Sequence, residues 1–575
     1  MFKLLRYLKP FTWSVVAVLM LLFFQAIADL YLPTLMSDIV DIGIVKGDTQ
    51  YILRVGALML LFAAASALFL VAASFLSAKI ATGLGRNLRS LVFSRVESYS
   101  LHEFNRIGTA SLITRTTNDI TQVQQVVVMM LRMMVSAPIM CIGGLIMAVS
   151  KDAELSLIFV LVLPLLAGVI LLITRRGVPL FRAMQVKLDK LNLVLREGLT
   201  GIRVIRAFNR LEHEKKRFSE ANSDLTDTAI KVNKLMATLM PFMMLVMNLS
   251  TIAIVWFGGL RVDHGDMQVG DMMAFLQYAM QIMFSLVMIS MMFIMIPRAE
   301  ASAVRINEVL DLVPEIKDAA GIEQTQDKRG LVEFRNVTFS YPGAEQPVLS
   351  NISFSAGPGE VTAIIGGTGV GKSTLINLIP RFYDVDSGSV LVDGVDVREM
   401  SQESLRAKIG FVPQKAVLFT GTIAENIRYG KENATDEEVK QAAAIAQASE
   451  FVADMQDGFG AVMAQGGANV SGGQKQRLAI ARALVRKAEI YIFDDTFSAL
   501  DFKTDAKLRA ALKKETINAT VLMVAQRVST VMDADRIIVM EDGKIADMGS
   551  HKELLKTCQV YREIVSSQLA EEEIA

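Results

Sequence analysis

Apolar residues fall along this chain in two regimes. In the first half, six long runs carry no Asp, Glu, Lys or Arg: 10–28, 55–78, 133–150, 155–174, 235–260 and 272–297. At about 1.5 Å of rise per residue, each is long enough or nearly so to cross a hydrocarbon core of roughly 30 Å. Apolar on every face, they offer water no polar side, so six membrane-spanning helices are predicted. Beyond Gly330 the pattern shortens to β-branched runs, "LVEFRNVTFSY", "EVTAIIG", "EIYIFDD" and "ATVLMVA", alternating with helical segments. That alternation predicts a soluble α/β domain. The polar stretch "PEIKDAAGIEQTQDKRG" between the two regimes suits a linker. The expected organisation is a membrane domain over 1–313, a linker over 314–330 and an α/β domain over 331–575.

Composition agrees with the membrane reading, since 52% of residues are hydrophobic and mean hydropathy is +0.40. Basic Lys3, Arg6 and Lys9 before the first run resemble a signal peptide, but five further runs and the lack of a small-residue cleavage site argue against one. The segments after the second and fourth runs are rich in Lys and Arg, and the short connections after the first, third and fifth carry mostly Asp. Basic loops stay on the cytoplasmic side, so both termini and the α/β domain are expected there. Lys plus Arg and Asp plus Glu balance at 59 each, which leaves no global field for nucleic acid. Cys141 and Cys558 sit in segments of different kind, so a structural disulfide is not expected. Asp29 and Arg132 flank charge-free runs, where an interfacial position is the default.

The long inner segments keep helical periodicity and should project beyond the bilayer. Their tips, "GTASLITRTTNDI" (108–120) and "EGLTGIRVIRAFNR" (197–210), combine turn-permitting residues with apolar anchors and suit docking on a cytoplasmic domain.

The strongest chemical signal is "GGTGVGKST", in which Gly366, Gly371, Lys372 and Ser373 satisfy G-x-x-x-x-G-K-[ST] directly after an apolar strand. Glycines let amide groups close around phosphates. The helix that follows favours the anion, Lys372 can reach the β and γ phosphates, and Ser373 can bind Mg²⁺. Asp494, at the end of "IYIF", stands where a carboxylate for that ion belongs. Between the two lies "NVSGGQKQR" (469–477), a hydroxyl and free amides at the start of an amphipathic helix, and so a second phosphate cradle. One nucleotide cannot easily use both cradles of one chain, so two such domains are expected to face each other.

These motifs, in this order behind six spans, resemble the ATP-binding cassette (ABC) exporters over almost the whole chain. The resemblance implies a type I exporter fold, a polytopic α-helical membrane domain followed by an α/β P-loop nucleotide-binding domain. It also implies ATP and Mg²⁺ as ligands. Gly366, Gly367, Thr368, Gly369, Val370, Gly371, Lys372, Ser373 and Thr374 would form the phosphate loop, and Tyr341 would stack on adenine. Gln414 would link γ-phosphate and metal to the membrane domain, and Ser373, Gln414 and Asp494 would serve the metal. Ser471, Gly472, Gly473 and Gln474 would be the signature acting on a partner's nucleotide, and Ser498 to Asp501 the loop that touches the opposite domain.

The chain departs from the family pattern at two positions. ATP-hydrolysing members carry Glu after the metal-binding Asp and His after the next strand; here these places hold Asp495 and Gln526. Asp495 is one methylene shorter, and Gln526 cannot change protonation state near neutral pH. Gln465 and Gly466 also replace a Glu and Arg common in exporters. With an intact signature, these departures imply a degenerate site in an asymmetric heterodimer, similar to one half of heterodimeric bacterial multidrug exporters. The partner would be a second half-transporter carrying the usual Glu and His, and hydrolysis would occur mainly at the site completed by this chain's signature. The cytoplasmic membrane of a bacterium is the implied location.

Methionines crowd the sixth run (Met272, Met273, Met280, Met283, Met288, Met291, Met292, Met295) beside Gln277, Tyr278, Gln281 and Phe284, and the fifth adds Met240, Met243, Met244 and Met247. Flexible thioethers suit a cavity for varied hydrophobic or amphiphilic ligands, although single methionines can equally be lipid-facing or interhelical filler. A drug or amphiphile exporter is the favoured function. A lipid or glycolipid flippase and a mainly regulatory nucleotide-sensing subunit are the alternatives.

Overall fold

The computed structural model describes residues 1–318 and 329–568, apart from the side chains of Phe2, Leu239, 290–294, Pro297 and Arg298. Most of the predicted linker and the side chains of Met291 and Met292 lie outside the described residues. The chain forms two compact units, Met1–Glu97 with Thr109–Leu312, and Ser98–Gly108 with Val313–Ala575.

In the first unit six helices are long and apolar enough to cross a membrane: Lys3–Ile44, Thr49–Glu97, Thr109–Lys151, Leu157–Thr200, Leu211–Asp263 and Val269–Ile289. The 49 residues of Thr49–Glu97 would reach about 75 Å, far more than a bilayer needs. The predicted extensions are therefore continuous with their spans. The first three helices and the last pack together, while Leu157–Thr200 and Leu211–Asp263 pack chiefly on each other.

Ion pairs among the connections after the first, third and fifth helices pin the ends of these helices. Lys151 Nζ donates to Asp271 Oδ1 at 2.6 Å and Ser37 Oγ to the same oxygen at 2.7 Å. The Gly270 amide reaches Asp41 at 2.6 Å, and Arg261 pairs with Asp152 at 2.5 Å. At the other end Asp119, fully buried, takes Arg305 and the Ser302 hydroxyl. A buried carboxylate without such donors would cost several kcal/mol.

Helix Thr12–Asp38 carries Asp29 and runs a further nine residues, about 14 Å, beyond it. The end of the charge-free run is thus not the end of the helix. Ser66 Oγ and Gln25 Nε2 each donate to the Asp29 carboxylate at 2.5 Å. Tyr278 is fully buried between Thr34 (2.7 Å) and the Leu30 carbonyl (3.1 Å), which makes it part of the helix packing.

The second unit is built on a six-stranded sheet, in which strands Arg536–Glu541, Val361–Gly366, Thr520–Val524, Ile490–Asp494 and Ile409–Val412 lie side by side and parallel. Lys544–Gly549 closes one edge antiparallel. Their near-continuous apolar sequences fit strands covered on both faces. An antiparallel sheet of Leu349–Ala356, Val332–Phe339, Ser387–Val392 and Val395–Asp396 packs into a shared core with them, through Phe334, Phe354, Ile364 and Ile492.

Ser98–Gly108 also belongs to this unit. Helix Leu101–Ile107 starts with a capping box, Glu103 accepting from the Ser100 amide at 2.6 Å. The segment 108–120, read from sequence as the tip of the first hairpin, instead continues the first unit as Thr109–Thr114 and Arg115–Asp119. The tip lies just upstream, and the Ser100-x-x-Glu103 spacing is the signal that would have located it.

Candidate active site

In a parallel sheet, loops gather beyond the carboxyl ends of the strands. Four adjacent strands here deliver their following residues to one edge: Val361–Gly366 the phosphate loop, Thr520–Val524 Gln526, Ile490–Asp494 Asp494 and Asp495, and Ile409–Val412 Gln414. Positions far apart in sequence become neighbours because strand order differs from chain order.

The loop needs its glycines. A Cβ on Gly366 would lie 2.3 Å from the Met540 carbonyl oxygen, and one on Gly371, at φ +96°, would lie 2.8 Å from Leu349 Cδ2. Lys372 Nζ folds over the loop, donating to the Gly366 carbonyl at 2.8 Å and the Gly367 carbonyl at 2.6 Å. Burial pushes its ammonium pKa down, opposed by nearby Asp495 and Asp494. Thr368, Gly369 and Val370 complete the turn, with Val370 packed against the core.

Ser373 Oγ donates to Asp494 Oδ1 at 2.9 Å, so two hard oxygen ligands are already side by side. Burial raises the Asp494 carboxyl above its ordinary range, partly offset by Ser373. These groups fit a magnesium nucleotide: a hydroxyl and a carboxylate for the cation, and amides and an ammonium for the phosphates.

Asp495 adopts φ +44°, and its amide donates to the Val524 carbonyl at 3.0 Å. Its carboxylate oxygen Oδ2 accepts from Gln526 Nε2 at 2.9 Å and from Gln414 Nε2 at 3.4 Å. The two departures from the family pattern therefore contact each other. Burial raises the Asp495 pKa, with Gln414 opposing.

On the opposite side of the loop, the Tyr341 hydroxyl bonds Thr374 Oγ1 at 3.0 Å, and its ring stands edge-on to Tyr383 with centroids 5.4 Å apart. Burial pushes the Tyr383 phenol up, opposed by the nearby Asn105 of the Leu101–Ile107 helix. Sequence reading missed both Tyr383 and Asn105. His102, Glu103 and Glu315 also cluster. The Glu103 oxygens are taken by Ser100 and by the Glu315 amide at 2.9 Å, so the trio closes a loop and does not offer ligands.

Ser471 caps helix Gly472–Leu484 in a capping box with Gln474. A side chain on Gly472 would meet nothing within 4 Å, whereas one on Gly473 would lie 3.1 Å from the Ala499 carbonyl. Asp501 caps helix Phe502–Glu515 through the Thr504 amide at 2.9 Å. Among the described residues no hydrogen bond joins Ser471, Gly472, Gly473 or Gln474 to the phosphate loop.

Residues 15–286 match the family model of the ABC transporter transmembrane region, and residues 349–498 match the ABC transporter model. An uncharacterized ABC transporter ATP-binding protein of Mycobacterium tuberculosis is 44% identical over 98% of this chain and 97% of its own. This chain belongs to the ABC exporters. A bacterial Atm1-family ABC exporter solved with ATP bound superimposes with a TM-score of 0.81 at 27% identity, covering 97% of this chain and 98% of that one. An ATP-dependent lipid A-core flippase of Syntrophus aciditrophicus is 33% identical over 85% of this chain and 81% of its own. The exporter is thus an integral membrane protein with an ATP-binding domain and the Atm1-family fold.

Proposed function

We propose that this chain exports hydrophobic or amphiphilic compounds as one half of a heterodimer, in which its own phosphate loop forms the slow site. The observation that carries this reading is the Asp495 carboxylate, buried and held by the amides of Gln526 and Gln414. A general base must reach the attacking water. Asp495 is a methylene short and already engaged, and Gln526 cannot take up a proton. ATP would be bound by residues 366–374 with Tyr341 on adenine. Mg²⁺, held by Ser373, Asp494 and Gln414, would neutralise charge on the transferring phosphoryl group. Ser471, Gly472, Gly473 and Gln474 would complete the partner's hydrolytic site.

A second subunit is supported by apolar side chains left exposed on the long extensions, among them Val186, Leu199, Val204 and Phe208. The reading places the membrane domain at 1–313, the nucleotide-binding domain at 331–575, and that domain with both termini in the bacterial cytoplasm. Lipid flipping is the second reading, favoured by the relative named a lipid A-core flippase.

The test is Mg-ATP hydrolysis by the chain purified alone, compared with the chain co-purified with a half-transporter carrying Glu and His at the two altered positions. The lone chain should bind ATP and turn it over little. Brisk turnover by a verified homodimer would reject the heterodimer.

A further inference from the structure

The first unit carries a half-open cavity of about 840 Å³ whose wall is mostly apolar, with Met129, Met133, Met140, Met247, Met280 and Met288 prominent. Of the crowded methionines, Met243 and Met283 are instead buried between helices, and Met240 and Met244 face outward. The same wall includes Asp29, Gln281 and Phe284.

Two of these residues offer a ligand something the methionines do not. Asp29 has no basic partner among the described residues; its donors, Ser66 and Gln25, are neutral. Intramembrane carboxylates are costly and are normally paired. Gln281 Nε2 donates to the Asp29 backbone carbonyl at 3.5 Å, and its Oε1 is buried away from the cavity with no donor among the described residues, so the amide ties its helix to the one that carries Asp29. Phe284 is 58% exposed, and an aromatic face attracts cations.

Arg132, also in the wall, does not answer Asp29. It precedes Lys151 on helix Ile120–Lys151 by 19 residues, about 28 Å, whereas Asp29 lies eight residues, about 12 Å, from Ser37, which Lys151 contacts at the outer end. The two charges therefore differ in depth by roughly 15 Å, with Arg132 toward the inner end.

We propose that Asp29 and Phe284 form the recognition site for the ammonium group of a cationic amphiphile, whose alkyl or aryl body lies against the methionine wall. The carboxylate supplies charge and accepts an N–H, and the ring face takes the remaining positive edge. This rests on the reading of the chain as an amphiphile exporter and names the substrate class at that cavity.

The experiment measures ATPase stimulation of the assembled transporter in nanodiscs by decylammonium, decanol and decanoate, which share a chain and differ in head group. Decylammonium should half-stimulate at a concentration at least fivefold lower than the other two. Asp29→Asn should abolish that preference while leaving decanol stimulation in place. Phe284→Leu, which keeps an apolar side chain and removes the ring face, should weaken decylammonium selectively by about twofold to fivefold, the size of an exposed cation–π contact. If Asp29→Asn depresses all three equally, or if neither variant alters the head-group order, the ammonium site is wrong and amphiphile export survives. Should no amphiphile stimulate the unaltered transporter, the export reading itself fails.

Discussion

Gln526 Nε2 donates to Asp495 Oδ2 at 2.9 Å, so the two residues that depart from the hydrolytic pattern are bonded to each other. Replacing both should separate their roles. Asp495→Glu with Gln526→His lengthens the carboxylate and supplies an imidazole that can exchange a proton near neutral pH. Single-turnover hydrolysis at this site should rise with the double change and less with either single one. No rise in the double variant, with ATP binding intact, would mean that the site is slow for another reason.

The opposite experiment removes the carboxylate. Asp495→Asn should lower steady-state ATPase of the assembled transporter by less than about tenfold, under ~1.4 kcal/mol of barrier. Gly472→Asp should cost roughly 10² to 10³, by analogy with loss of one charge-stabilising donor. The open space at Gly472 and the favourable placement of an acid at a helix start keep that variant folded. Lys372→Ala should fall between. Equal loss from Asp495→Asn and Gly472→Asp at saturating ATP would make Asp495 a working base.

Tyr383 links Asn105 to the ring of Tyr341. Tyr383→Phe keeps the ring contact and removes the phenol oxygen that Asn105 neighbours, and a polar contact of that kind is worth about 1 kcal/mol. Substrate stimulation of ATPase should drop roughly twofold to tenfold while ATP affinity stays within about twofold. Asn105→Ala should match it, with no further loss in the pair. Additive losses would disconnect the two residues.

Phe208, at the tip between helices Leu157–Thr200 and Leu211–Asp263, is 74% exposed. Phe208→Ser therefore disturbs little of the chain's own packing. If the tip docks on a nucleotide-binding domain, dye efflux should fall while ATP binding persists. Unchanged efflux would remove the docking role.

Burial pushes the Tyr561 phenol up from 10.0 to about 12. The neutral form is the one favoured in the fold, so this contribution is complete below pH 10 and is lost as pH rises toward 12. The loss is on the order of 3 kcal/mol. Denaturation midpoints of the second unit should fall across that window, and Tyr561→Phe should flatten the fall. A Phe variant equally sensitive to alkali would place the titration elsewhere.

Much of this was legible in sequence because it is local. Charge-free runs specify membrane helices through the cost of bare backbone and charge in hydrocarbon, and Gly366, Gly371, Lys372 and Ser373 declare a phosphate loop through contiguous spacing. Asp494 and Asp495 were recognisable from the strand they end. What the chain order could not express was adjacency. That Gln526 and Gln414 both bond Asp495 follows from strand order in the parallel sheet, which sets Thr520–Val524 and Ile409–Val412 on either side of Ile490–Asp494. Asn105 reached Tyr383 only when helix Leu101–Ile107 packed with the second unit, far from it along the chain. That the helix of Asp29 runs on to Asp38 was hidden because a charge-free run marks where charges stop, not where a helix does. The missing cation of Asp29 and the orphaned oxygen of Gln281 exist only once the helices pack, since packing alone decides which polar atoms lose water and which find a partner.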